Sequence, residues 1–274
     1  MNDPVYTYTS TGPSVSVPDK PVSRLKWLLV GVCALIIFAG ALVGGYYLSH
    51  AGTNHGVTVI RMEGTIAAGN ENDGTSIGSE VVGSQLREAA DDPMVEAIVL
   101  RVNSPGGSPA GAQEIIEDLD YAKTKKPVVV SMGEMATSAA YYVSAHADRI
   151  YADPDTMTAD VGVIWKFSDI SSWMHDEGYN LSVVKSGAMK DMGSDSRPMT
   201  PAEQAYAQQI VQESFENFIG DVTTQRVIAR SDIDDGRMIR GADAVKLNIV
   251  DQLGNINDAI AGAKELAESR SKSS

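Results

Sequence analysis

Residues 27–48 form an uninterrupted run of 22 residues with no charged side chain. At about 1.5 Å of helical rise per residue the run is long enough to cross a bilayer. Backbone groups in hydrocarbon have no water to bond, so the segment is expected to be one transmembrane helix. Lys20, Arg24 and Lys26 precede it, and no Lys or Arg follows before Arg61. The positive-inside rule therefore places the N-terminus in the cytoplasm and everything after the helix on the outer side of the cell membrane. A cleaved signal peptide is the rival reading. The length of the run and the lack of a small-residue cleavage site stand against it. Gly40 and Gly44 have the spacing at which two membrane helices approach closely, although glycine is frequent enough in such helices for the spacing to arise by chance.

This run divides the rest of the chain. Residues 1–26, rich in Pro, Ser and Thr and without apolar runs, read as a disordered cytoplasmic tail. Residues 49–56 read as a linker, 57–268 as one globular domain and 269–274 as a frayed tail. The formal net charge of −14 repels phosphate backbones and disfavours a nucleic-acid partner. Cys33, the only cysteine, lies inside the apolar run, so the domain forms no disulfide and holds no thiolate metal site. His50, His55, His146 and His175 lack ligand spacing, and no metal or cofactor is expected.

From residue 57 the pattern changes to short apolar runs separated by helical stretches. Candidate strands are 57–62, 95–102, 127–132, 149–152 and 181–185. Most are continuously apolar rather than alternating, as strands covered on both faces are. Helices are expected at 77–90, 110–123 and 138–147. Thr200, Pro201 and Glu203 form a capping box that should start a long helix reaching about residue 226, and a last helix is expected over 256–269. Such alternation predicts an α/β layered fold with a mostly parallel sheet.

Two strand-to-helix turns carry groups that could do chemistry. In the first, Asn103 to Ser108, adjacent glycines Gly106 and Gly107 leave backbone N–H groups unobstructed, as an oxyanion site requires; an ordinary tight turn would use the same residues. In the second, Gly133 to Tyr142, Ser138 stands where a helix begins, a place for a nucleophile or for a plain N-cap. A serine nucleophile requires a base. His146 lies eight residues along the same expected helix, about 12 Å away by helical rise, and His175 sits at what reads as an exposed helix end; both read as surface histidines. Lys190 follows the candidate strand 181–185. A desolvated lysine would be neutral and able to accept a proton, whereas a solvated one is only a loop charge. Met132, Met135, Met189 and Met192 either line an adaptable apolar pocket or belong to the core.

With Ser104-Pro105-Gly106-Gly107, the Ser138 turn and the turn from Ser186 to Asp191 in this order, the sequence resembles signal peptide peptidase A, a Ser/Lys peptidase family on the Clp-protease/crotonase-like fold. The similarity extends over about 57–267 and includes Asp235-Gly236-Arg237 and the stretch from Gly241 to Gly254. The resemblance implies Ser138 as nucleophile, Lys190 as general base, and the amides of Gly107 and Ala139 as the oxyanion hole. It also implies a homo-oligomer in which one subunit's serine meets another's lysine. The implied substrates are cleaved signal peptides and other short hydrophobic or unfolded segments at the membrane. The chain departs from the family where Ala139-Ala140 replaces Gly-Gly and where Asn248 stands for a usual glycine.

A Clp-type Ser-His-Asp peptidase would need a histidine about 25 residues beyond the serine, and 160–164 has none. A crotonase-like acyl-CoA enzyme has no need of Ser138 and Lys190 together. A catalytically inactive membrane scaffold or peptide-binding protein of the same fold is the remaining alternative. Dependence on neutral Lys190 predicts a pH optimum on the alkaline side.

Overall fold

The computed structural model describes residues 32–33, 35–41 and 56–273. Of the expected membrane span, 32–33 and 35–41 are helical and exposed; the rest of that span, and the N-terminal tail, lie outside the described residues. Among the described residues no helix is long and apolar enough to cross a membrane.

The folded unit begins with β1 (Gly56–Glu63), β2 (Thr65–Ala67), β3 (Ser76–Gly78), α1 (Ser79–Asp91), β4 (Val95–Ser104) and α2 (Pro109–Lys123). It continues through β5 (Val128–Thr137), α3 (Ala139–Ala145), β6 (Arg149–Ala152), β7 (Met157–Ala159), α4 (Ser171–Asp176) and α5 (Pro201–Gln225). β8 (Met238–Arg240), α6 (Gly241–Ala244), β9 (Gln252–Leu253) and α7 (Ile256–Ser273) close it. The main sheet has the order β1-β4-β5-β6-β9, all parallel, with β7 on the far end of β5 and β8 antiparallel to β7. A parallel sheet needs cover on both faces. Ile98, Leu100 and Val102 of β4 pack with α1, α2 and α3 residues such as Leu86, Leu119 and Tyr141. Ala97 and Val99, which alternate with them, pack beneath Ala259 and Ala263 of α7. Burying each large aliphatic side chain in these layers contributes about 1.5–3 kcal/mol.

The expected strands over 57–62, 95–102, 127–132 and 149–152 are present, and each main helix lies within a few residues of its expected place. The candidate strand at 181–185 is not a strand: those residues are exposed coil without sheet partners among the described residues. Helix α7 runs to Ser273, past the expected frayed end, because Arg270 donates to the Lys123 carbonyl at 3.0 Å and to Asp148 at 3.1 Å, tying down its last turns. Asn248 has φ 58°, a left-handed conformation that asparagine tolerates better than most residues.

Helix α5 starts as its sequence dictates. Thr200 Oγ1 accepts from the Glu203 N–H at 3.2 Å, and the Glu203 carboxylate accepts from the Thr200 N–H at 2.8 Å. Removing this cap by Thr200→Ala is expected to cost about 1 kcal/mol, measurable as a lower urea midpoint with an unchanged slope.

Candidate active site

Strand β5 delivers the candidate nucleophile. Between Met132, which pairs with Val102, and Ala136, which pairs with Ser104, β5 advances four residues while β4 advances two. The excess bulges at Gly133–Met135, where the Asn103 side chain accepts from the Met135 N–H at 3.2 Å and Thr156 Oγ1 donates to the Gly133 carbonyl at 2.7 Å. A bulge redirects the strand beyond it, and here the redirected end pairs with β7 instead of β6.

Ser138 follows at once, with φ 54° and ψ −125°. This is glycine territory, and a residue with a side chain is held there only when its surroundings determine it. The Ser138 N–H donates to the Ala159 carbonyl at 2.8 Å, and its carbonyl accepts from the Tyr142 N–H at 2.9 Å. Ala159 and Asp160, which face this junction, also have positive φ, 63° and 55°. Burial raises the Asp160 carboxyl above its ordinary value. The Ser138 hydroxyl has no hydrogen-bond partner among the described residues.

The glycine turn leans directly on this serine. A Cβ on Gly106 would lie 2.8 Å from Ser138 Cβ, so only glycine permits the approach. Strand β2 pins the turn: the Ile66 N–H donates to the Gly106 carbonyl at 2.9 Å and the Ser108 N–H to the Ile66 carbonyl at 2.8 Å. The Gly107 N–H takes no part in that bridge. The Ala139 N–H is the first of α3, and first-turn N–H groups have no acceptor within their own helix. Gly107, Ser138 and Ala139 thus share one pocket of about 110 Å³.

The pocket wall contains residues that the sequence did not single out. Tyr142 and Phe218 contribute their rings, 4.6 Å apart at the centroids. Gln113 and Asn217 supply polar edges. Tyr142 donates its hydroxyl to Asp221 of α5, and burial, then that bond, raise the phenol well above its ordinary value. Tyr142 was legible only as the residue one helical turn after Ser138. None of Met132, Met135, Met189 and Met192 lines the pocket; Met132 is fully buried in the core and Met189 is exposed.

His146 corrects the sequence reading. It is buried, 5% exposed, with Nδ1 at 3.2 Å from Asp120, because the last turn of α3 points into the seam with α2. His175 is exposed, as expected.

Lys190 is not in the pocket. It is exposed in the coil before α5, and its ammonium has no hydrogen bond or ion pair among the described residues. Its neighbours are occupied: Arg197 donates to Asp191 through Nε at 3.0 Å and Nη2 at 2.7 Å, and to Glu203 through Nη1 at 2.9 Å and Nη2 at 2.6 Å. Lys185 also pairs with Asp191. Arg197, then the Thr200 N–H, hold the Glu203 carboxyl down to about 2 from 4.5. A carboxylate lowered in this way adds stability that is complete above its ordinary value and lost as the pH falls towards 2. The clamp is therefore closed throughout the neutral and alkaline range.

Residues 120–270 match the sequence profile of Peptidase family S49, more than half of the chain. The chain belongs to that family. Ser138, Ala139 and Lys190 fall inside the matched S49 region, and Gly107 precedes it. The S49 chain is 34% identical over 228 residues to Protease 4 of Haemophilus influenzae, covering 81% of this chain and 37% of that one. It is 36% identical over 222 residues to Protease 4 of Salmonella typhi, covering 80% and 36%. A putative signal peptide peptidase SppA of Enterococcus faecium is 33% identical over 188 residues, covering 66% and 54%. The chain therefore spans little more than a third of the length of the two Protease 4 relatives.

Proposed function

We propose that this S49 chain is a membrane-anchored serine endopeptidase. On this reading it hydrolyses cleaved signal peptides and other short hydrophobic or unfolded segments, with Ser138 as nucleophile and Lys190 as base. The observation that carries the proposal is the backbone of Ser138, held at positive φ on a pocket wall with the Gly107 and Ala139 amides beside it. The neutral Lys190 amine takes the Ser138 hydroxyl proton as the oxygen attacks a peptide carbonyl carbon. The resulting oxyanion is received by the two amides. The carbon–nitrogen bond then breaks, the leaving amine takes the proton from Lys190, and an ester remains on Ser138. Water, deprotonated by the same amine, hydrolyses the ester.

Within one chain the base lies outside the pocket, and the proposal assigns it to a neighbouring copy in a homo-oligomer. Residues 164–190 support that assignment. The segment carries exposed apolar side chains, with Ile164 77% and Val184 98% accessible, and Trp173 and Leu181 also in solvent. Apolar patches of this kind mark contact surfaces. The uncharged run 27–48 would hold the assembly at the membrane, with the domain on its outer side.

Two measurements test this reading. A fluorophosphonate probe should label the wild-type protein at Ser138; an unlabelled protein with full membrane insertion would instead be a peptide-binding scaffold of the same fold. Coexpressed Ser138→Ala and Lys190→Ala chains, each inactive alone, should recover roughly a quarter of wild-type turnover when mixed equally, since one pairing in four joins an intact serine to an intact lysine. No recovery from well-formed mixed oligomers would place both groups in one chain and defeat the shared site.

A further inference from the structure

Asp191 directly follows the candidate base in the chain, and an unoccupied carboxylate there is a ready partner for the Lys190 ammonium. Opposite charges within about 4–6 Å stabilise one another's charged forms, and a lysine held charged accepts no proton. In the structure the carboxylate is engaged elsewhere. Its Oδ1 receives Lys185 and Arg197, and its Oδ2 receives Arg197 Nε at 3.0 Å. The other edge of the same guanidinium is fixed to Glu203, which is 1% exposed and capped into the first turn of α5. The coil that carries Lys190 is thereby tied to the start of a 25-residue helix through one planar side chain.

We propose that Arg197 is a positioning residue for the reaction: it fixes the Lys190 coil to α5 and withholds Asp191 from the Lys190 amine. This inference rests on the reading of Lys190 as base. An arginine suits the task and a lysine does not, because two carboxylates are held at once by a rigid fork of donors. The charged groups bonded within this segment are Lys185, Asp191 and Arg197, with Glu203 from α5. Removing Arg197 frees Asp191 Oδ2 while Lys185 still reaches only Oδ1.

The test uses the full-length oligomer and a fluorogenic peptide with an apolar residue before the scissile bond. Arg197→Ala is expected to lower kcat about 10–100-fold with little change in KM, because the base is misplaced and the substrate pocket is not. The rising limb of its pH–rate profile should move about one unit to higher pH, towards the condition that deprotonates a paired lysine. Adding Asp191→Asn to Arg197→Ala should bring the limb back while kcat stays low. Arg197→Lys should resemble Arg197→Ala, and it carries the test if the alanine variant does not assemble. A limb that stays in place, or one that moves and is not restored by Asp191→Asn, overturns the inference, as does wild-type kcat in Arg197→Lys. Activity surviving Lys190→Ala would defeat the underlying reading instead. An inactive Lys190→Ala beside a normal Arg197→Ala would defeat this inference alone.

Discussion

Ser138→Ala is expected to cut peptide hydrolysis by at least about 10⁴-fold while leaving thermal unfolding close to wild type. The hydroxyl has no bonding partner among the described residues, so its removal orphans no other group, and alanine keeps the Cβ that packs against Gly106. Ser138→Gly makes a sharper comparison. Glycine removes the side chain from a φ of 54°, where a side chain costs about 1–2 kcal/mol. That variant should be equally inactive yet more stable than wild type. A gain in melting temperature with loss of turnover would identify the strain at this junction as maintained for chemistry. A glycine variant less stable than the alanine one would mean that the surroundings need the Cβ, and that the conformation is a packing consequence.

If the Gly107 amide is the proposed oxyanion donor, Gly107→Ala should lose about 10²–10³-fold in kcat, the usual consequence of losing one such donor. Gly107 has φ 152°, and a Cβ there would lie 2.1 Å from the Ile66 carbonyl oxygen. Backbone cannot yield as a flexible side chain can, so the bridge between the turn and β2 must open. The Gly107 amide, proposed as an oxyanion donor, then shifts with it. KM should change little, because the pocket walls from α3 and α5 are untouched. Gly74→Ala is the control: it has φ 84° but nothing within 4 Å of its Cβ. It should cost about 1 kcal/mol of stability with full activity. Equal kinetic losses in both variants would attribute the Gly107 effect to general destabilisation.

Much of the framework was legible because it depends on local rules. Continuous apolar runs marked the parallel strands, and Thr200 with Glu203 marked the start of α5 to the residue. The sequence also placed Gly107, Ser138 and Ala139 at strand-to-helix turns, and the structure brings the three to one pocket. What escaped depends on distant pairing. The three-residue strands β2, β7 and β8 are too short for a periodic signal, yet β2 holds the glycine turn and β7 receives the end of β5. The bulge at Gly133–Met135 leaves no mark in composition; it exists because Asn103 and Thr156 bond the displaced backbone. His146 looked like a surface residue because its partner, Asp120, lies on a different helix. Residues 181–185 looked like a strand because apolar runs usually mark buried strands, yet this stretch is exposed coil. The Arg197 clamp was invisible for a related reason, since three common charged residues carry no motif until folding gathers them.

The exposed coil that bears Lys190 has a cellular corollary if its amine serves a neighbour's serine. A freshly synthesised molecule would be harmless to other nascent polypeptides, holding half of each of two sites and the whole of neither. Cleavage would begin only once copies accumulate enough to meet, so local abundance would set the onset of digestion.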